Sequence, residues 1–316
     1  MATINTFNYP LYEFAVGWFK RQAPNPIDFL APVLKVDGKL GTFPRYPQGY
    51  AFRSVNTDRA LFSPPTTVSV DAEQVPFKLA SKGLRIGVDD DELVGAGNEQ
   101  AARDQLAQAK AGSLLSTFRT SLITEDLATY RAAVPALSGK GHWSGSDASN
   151  PIEELRAVCQ EFIETNGVNP NRILMSDNAW NILANNADVL DMVAYNDAKV
   201  LTHQLLLKLL YFDPDAEGCP VIKTSTVPVG TAKPGPGVAF KGANALGTDV
   251  WLTYVDEGDL VGNMCGLRQL QLNDDAPIDS VTTVRVEEDG ATYYQVKGHH
   301  LAAVTAPTCV TRLSVS

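Results

Sequence analysis

The chain has 316 residues, 44% of them hydrophobic and 20% charged, a globular balance sufficient for one large core or two smaller ones. Its net charge of −10 argues against a nucleic-acid binder, because Lys and Arg neutralising phosphate supply most of that affinity. No run approaches the ~18 consecutive apolar residues of a membrane helix, the start lacks a secretory pattern, and Cys159, Cys219, Cys265 and Cys309 form no CxxC pair, so they read as reduced packing thiols in a reducing cytoplasm.

Residues 1–30 carry Phe7, Tyr9, Tyr12, Phe14, Trp18 and Phe19 among Pro10, Pro24 and Pro26. The prolines preclude one long helix, and the segment is too apolar for a solvated tail. It is expected to be an arm packed on something else, such as a neighbouring subunit. Residues 31–85 show no helical period and are punctuated by proline and glycine, with β-like runs at 33–36 and 66–70. This predicts an extended two-stranded excursion that projects from the body with few contacts to its own chain. The segment holds eight basic and four acidic side chains, a balance of +4 on an otherwise acidic molecule. Such a segment invites contact with another copy, with Arg45, Arg53 and Arg59 as candidate cations; the plain alternative is a solvated basic loop.

Asp89, Asp90, Asp91 and Glu92 come next, ahead of a proline-free stretch over 98–133. Ala102, Leu106 and Ala109, then Leu115, Phe118 and Leu122, recur at helical spacing. A helix within 90–133 is expected to be the longest of the chain, spanning roughly 50 Å. Carboxylates at its start suit the positive end of the helix dipole, and the alternating ligands and glycine of a calcium loop are missing. The four carboxylates are also the candidate target for the basic segment.

A linker with Pro135, Gly139, Gly141 and Gly145 surrounds His142 and Trp143. Then Asn150 as N-cap, Pro151 at the first helical position and Glu153 as the far half of a capping box open a helix. Its apolar stripe is Ile152, Leu155, Val158, Cys159, Phe162 and Ile163, and Asn166-Gly167 stops it. A strand over 172–175 and a helix bearing Trp180 and Leu183 follow, with another turn at 189–193 and a helix over 204–210 behind Thr202. Ile152, Leu155, Phe162, Leu174, Trp180 and Leu183 are expected to form one buried cluster. Beyond Cys219 the pattern turns to β, with candidate strands at 221–224, 238–241, 250–255, 280–287 and 292–297 and a hairpin signal at Asp289-Gly290.

Chemistry-bearing motifs are missing. His142, His203, His299 and His300 fit neither HExxH nor a GxSxG elbow. Adjacent strand residues face opposite sides, so His299 and His300 are read as surface or interface residues. Gly95-x-Gly97 lacks the third glycine of a dinucleotide fingerprint. No catalytic, metal or cofactor residue is assigned and no enzyme is expected, although a hydrolase or binding protein with a site assembled from distant residues stays open.

Trp143-Ser144, Ser149-Asn150-Pro151-Ile152, the run Asn169-Pro170-Asn171-Arg172-Ile173-Leu174-Met175, Ala179-Trp180-Asn181-Ile182-Leu183, Val200-Leu201-Thr202, and later Ala239-Phe240 and Trp251-Leu252-Thr253-Tyr254 occur in one order. That order resembles the major capsid proteins of tailed bacteriophages with the Hong Kong 97-type fold. The resemblance implies an α+β chain with an N-terminal arm (1–30) and an extended E-loop hairpin (31–88). A P-domain with a spine helix (89–142), an A-domain (143–270) and a return to the P-domain sheet (271–316) would follow. It implies a non-enzymatic structural protein of the virion that self-assembles, in the host bacterial cytoplasm, into pentamers and hexamers of an icosahedral head around double-stranded DNA. Its partners would be itself and separate scaffolding, portal and decoration proteins. DNA would be touched non-specifically at most, and no cofactor or membrane is implied. An encapsulin-like shell is the near alternative.

Overall fold

The computed structural model describes residues 5–6, 25–45, 72–89, 100–145, 149–194, 200–216, 218–230, 242–258, 265–273, 281–286, 288 and 290–316. In chain order the elements begin with β1 (Asn5–Thr6), α1 (Pro26–Leu30), β2 (Val33–Val36), β3 (Leu40–Arg45), β4 (Glu73–Lys78), β5 (Ala80–Asp89) and α2 (Gln100–Ala133). Next come α3 (Pro151–Asn166), β6 (Arg172–Ser176), α4 (Asp177–Ala184), α5 (Ala187–Ala194), α6 (His203–Leu209) and β7 (Val221–Ser225). The rest is β8 (Pro228–Gly230), β9 (Gly242–Asn244), β10 (Asp249–Thr253), β11 (Leu267–Leu272), β12 (Thr282–Val286), β13 (Ala291–Val304) and β14 (Val310–Ser314).

Two sheets organise these elements. The first runs β1-β12-β13-β11-β2, with β5 also paired to β13. β13 is its axis: one edge pairs with β12 and then β11, and the other with β5 from Ala291↔Asp89 to His300↔Ala80. The second sheet runs β14-β10-β6-β7 and carries α3 to α6. β3 and β4 form a separate hairpin.

The 34-residue α2 is the longest element among the described residues and joins the two sheets. Its buried residues recur at three- and four-residue steps. Ala111, Leu114, Leu115 and Phe118 pack on Val88, Tyr294 and Val296 of the first sheet. Farther along, Ile123, Leu127, Tyr130 and Val134 meet Leu174, Trp251 and Leu267, where the sheets adjoin. The length follows from this need, since one shorter helix could not cover both surfaces.

The capped helix forms as its sequence signals require. The Asn150 side chain accepts from the N–H groups of Ile152 and Glu153, and Gly167 closes the far end at φ +70°. The carboxylate that braces this corner is Glu154, next to the expected Glu153. Its oxygens accept from Gly141 N (2.6 Å), Trp143 Nε1 (2.8 Å) and Ser149 Oγ (2.9 Å). Ser149 and Trp143 are thus held by one side chain.

Several expectations need correction. Residues 31–85 do not all project: β2 pairs with β11, and β5 pairs along ten positions of β13. Of the described residues, the separate hairpin is 40–45 with 73–78. The expected run 66–70 and the expected strand 238–241 lie outside the described residues. Ile152, Leu155 and Leu183 share one core, with Trp180 packed at its margin. Leu174 instead faces α2, and Phe162 packs with Ala306 and Cys309. The cause for Leu174 is the two-residue period of a strand buried on both faces: Ile173 and Met175 point under the helices, so Leu174 points away. Finally, β14 pairs with β10 in the second sheet, so the chain end does not lie wholly in the first.

Candidate functional site

The residues singled out for inter-subunit contact fall in two places. Arg45 ends β3, where its Nε donates to Thr305 O (3.0 Å) and its terminal nitrogens to Val304 O (2.9 Å) and Glu73 Oε2 (3.5 Å). In the single chain it therefore ties the hairpin base to the end of β13. Phe43 and Phe77 stack across the hairpin at 6.4 Å between centroids. Gly41 lies so close to the Phe77 ring that a Cβ there would come within 2.7 Å of it. Asp89 is the last residue of β5, opposite Ala291 at the start of β13. It belongs to a strand and not to the opening of α2, whose first turn holds no acidic residue. Arg53, Arg59, Asp90, Asp91 and Glu92 lie outside the described residues.

Arg45 and Asp89 are not brought together. They sit at opposite ends of the 14-residue β13, on the order of 40 Å apart at the usual rise per strand residue.

Polar contacts among the described residues also fix α2 to the sheets. Lys82 of β5 pairs with Glu125. His300 Nε2 meets both oxygens of Asp126 (2.9 and 3.0 Å), with both side chains buried. The surface or interface reading of His300 is thus overturned: the register of β13 turns it inward onto α2, and with no solvent path it is a structural pair. Near the helix end, Asp249 is buried between Arg131 Nε (2.7 Å) and Arg312 (3.1 Å). Tyr130 donates to Arg268 O (2.9 Å), and its burial raises the phenol's pKa well above the ordinary value.

Sequence reasoning missed these pairs, yet one signal was present. Asp126 falls in the apolar stripe of α2, between Ile123 and Tyr130, and a carboxylate there needs a buried partner. Among the described residues no group of three or more His, Cys, Asp or Glu could hold a metal ion, and no helix is long and apolar enough to cross a membrane. None of the four cysteines forms a disulfide, and burial pushes the Cys159 thiol up to about 12.

No family model and no curated protein matches this sequence. Solved structures do. A phage-related protein from Bordetella bronchiseptica RB50 is similar with a TM-score of 0.67 at 17% identity, over 99% of this chain and 98% of that one. The mature capsid of bacteriophage PhiM1 is similar with a TM-score of 0.54 at 10% identity, over 93% of this chain and 88% of that one. This is the phage-capsid fold. The capsid of cyanophage P-SCSP1u adds a TM-score of 0.50 at 14% identity, over 91% and 86%.

Proposed function

We propose that this chain is the major capsid protein of a tailed bacteriophage, a non-enzymatic subunit that self-assembles into the pentamers and hexamers of an icosahedral head around double-stranded DNA. The likeness to the mature capsid of bacteriophage PhiM1, over 93% of this chain and 88% of that one, carries this reading. The charge pattern of the sequence is consistent with it, since contact between identical copies would set the basic segment 31–85 of one against the acidic run 89–92 of the next. In this arrangement Arg45, Arg53 and Arg59 face Asp89, Asp90, Asp91 and Glu92 across the boundary, and Arg45 also anchors the hairpin from below. Residues 1–30 form the arm, 31–88 the E-loop with its footing strands, 89–142 the spine, and 143–270 the A-domain. The partners are other copies, with scaffolding, portal and decoration proteins added in the host cytoplasm.

Size-exclusion chromatography with negative-stain microscopy of the purified chain tests the reading. Megadalton shells or ring-shaped capsomers are the expected result, and a monodisperse monomer at every concentration would contradict it.

A further inference from the structure

The turn that hands the chain from α6 towards β7 carries a tyrosine in a conformation that side chains rarely adopt. Tyr211 has φ +66°, alone among the described non-glycine residues in having a positive φ. It stands one position beyond the α6 C-cap at Leu210. Its N–H donates to Lys208 O (3.0 Å) and that of Phe212 to Leu207 O (2.9 Å). This pair of bonds closes a helix through a left-handed residue, where glycine is the default. Leu207 and Phe212 then pack in the core under the helices, which fixes the turn whatever side chain occupies position 211.

The tyrosine ring adds nothing to that core, being 79% exposed. It is held in place from behind: the Arg156 guanidinium carbon lies 3.9 Å from the ring centroid, and Arg156 Nε donates to Leu209 O (2.7 Å). A position that favours glycine is thus filled by a large exposed ring, pinned in one orientation. Strain of this kind gathers at functional positions, and a pre-oriented tyrosine loses little freedom when it binds.

Charge identifies what it binds. Arg156 and the exposed Lys208 make the surroundings of the ring basic, while the exposed Asp213 and Asp215 follow two and four residues later. The Asp215 N–H donates to Asp213 Oδ1 (3.1 Å), which shapes that acidic turn. A cationic aromatic knob and an acidic turn share one tip, so identical tips related by rotation complement each other. We infer that Tyr211, backed by Arg156, docks on the Asp213–Asp215 turn of a second copy of this chain. The inference rests on the shell reading and names one contact within it.

Tyr211→Gly supplies the residue the turn favours. The isolated subunit should melt no lower than wild type by circular dichroism. The assembled fraction in sedimentation velocity should fall at least tenfold, while Tyr211→Phe, which keeps the ring, assembles normally. Should Tyr211→Gly misfold, the exposed double variant Asp213→Lys with Asp215→Lys decides, with the same loss of assembly expected. Wild-type assembly by Tyr211→Gly, or by the lysine pair, overturns the contact alone. A wild-type chain that never assembles overturns the shell reading and this contact with it.

Discussion

At the scale of single residues, several charges among the described residues join one element to another. Asp249 is the clearest case, since its one carboxylate bridges Arg131 at the end of α2 and Arg312 of β14. Asp249→Ala should cost about 3 kcal/mol in urea unfolding, the low end for a broken buried pair, because Arg131 is a third exposed and stays partly hydrated. Unfolding within 1 kcal/mol of wild type would show that the two arginines do not depend on it. The cysteines give a second measurement. Cys159, Cys265 and Cys309 are buried, and at about 12 the Cys159 thiol has almost no reactive thiolate at neutral pH. A thiol reagent at pH 8 should reach at most Cys219 in the native subunit and all four in the unfolded chain. Rapid native labelling of Cys159 would contradict its placement. Of these contacts the sequence disclosed only a hint, because Asp126 and His300, or Arg131 and Asp249, meet across more than a hundred residues.

At the scale of elements, legibility followed locality. The helix Pro151–Asn166 could be read because its proline lies within it and its cap Asn150 and terminal Gly167 adjoin it. Its stripe is correspondingly testable: Leu155 is fully buried, and Leu155→Ala should cost roughly 2–5 kcal/mol by thermal or denaturant melting. An unchanged midpoint would mean that α3 presents another face to the core. β5 could not be read in this way. Gly83, Gly87, Lys82 and Arg85 interrupt its alternation, and its strand character comes from β13, two hundred residues later. The pairing of β14 was hidden for the same reason, since its partner β10 is chosen by packing and not by the chain nearby. Strands buried on both faces, such as β6, hide which residue points where, and this separated Leu174 from the cluster expected for it.

At the scale of the whole molecule, α2 and β13 are the two longest described members, with Arg45 bound at one end of β13 and Asp89 paired at the other. Exposed ion pairs contribute only about 0–1 kcal/mol each, so they govern a shell by repetition and not by strength. Arg53→Glu with Arg59→Glu should therefore leave the circular dichroism of the subunit unchanged while blocking shell formation, and raised salt should slow early assembly of the wild type. Normal shells from the double variant would return the basic segment to an ordinary solvated surface. The most direct test of the central claim is electron microscopy of the purified wild-type chain, alone and co-expressed with the products of its neighbouring genes. The account predicts closed shells with icosahedral symmetry or their five- and six-membered rings; a monomer in both preparations would contradict it.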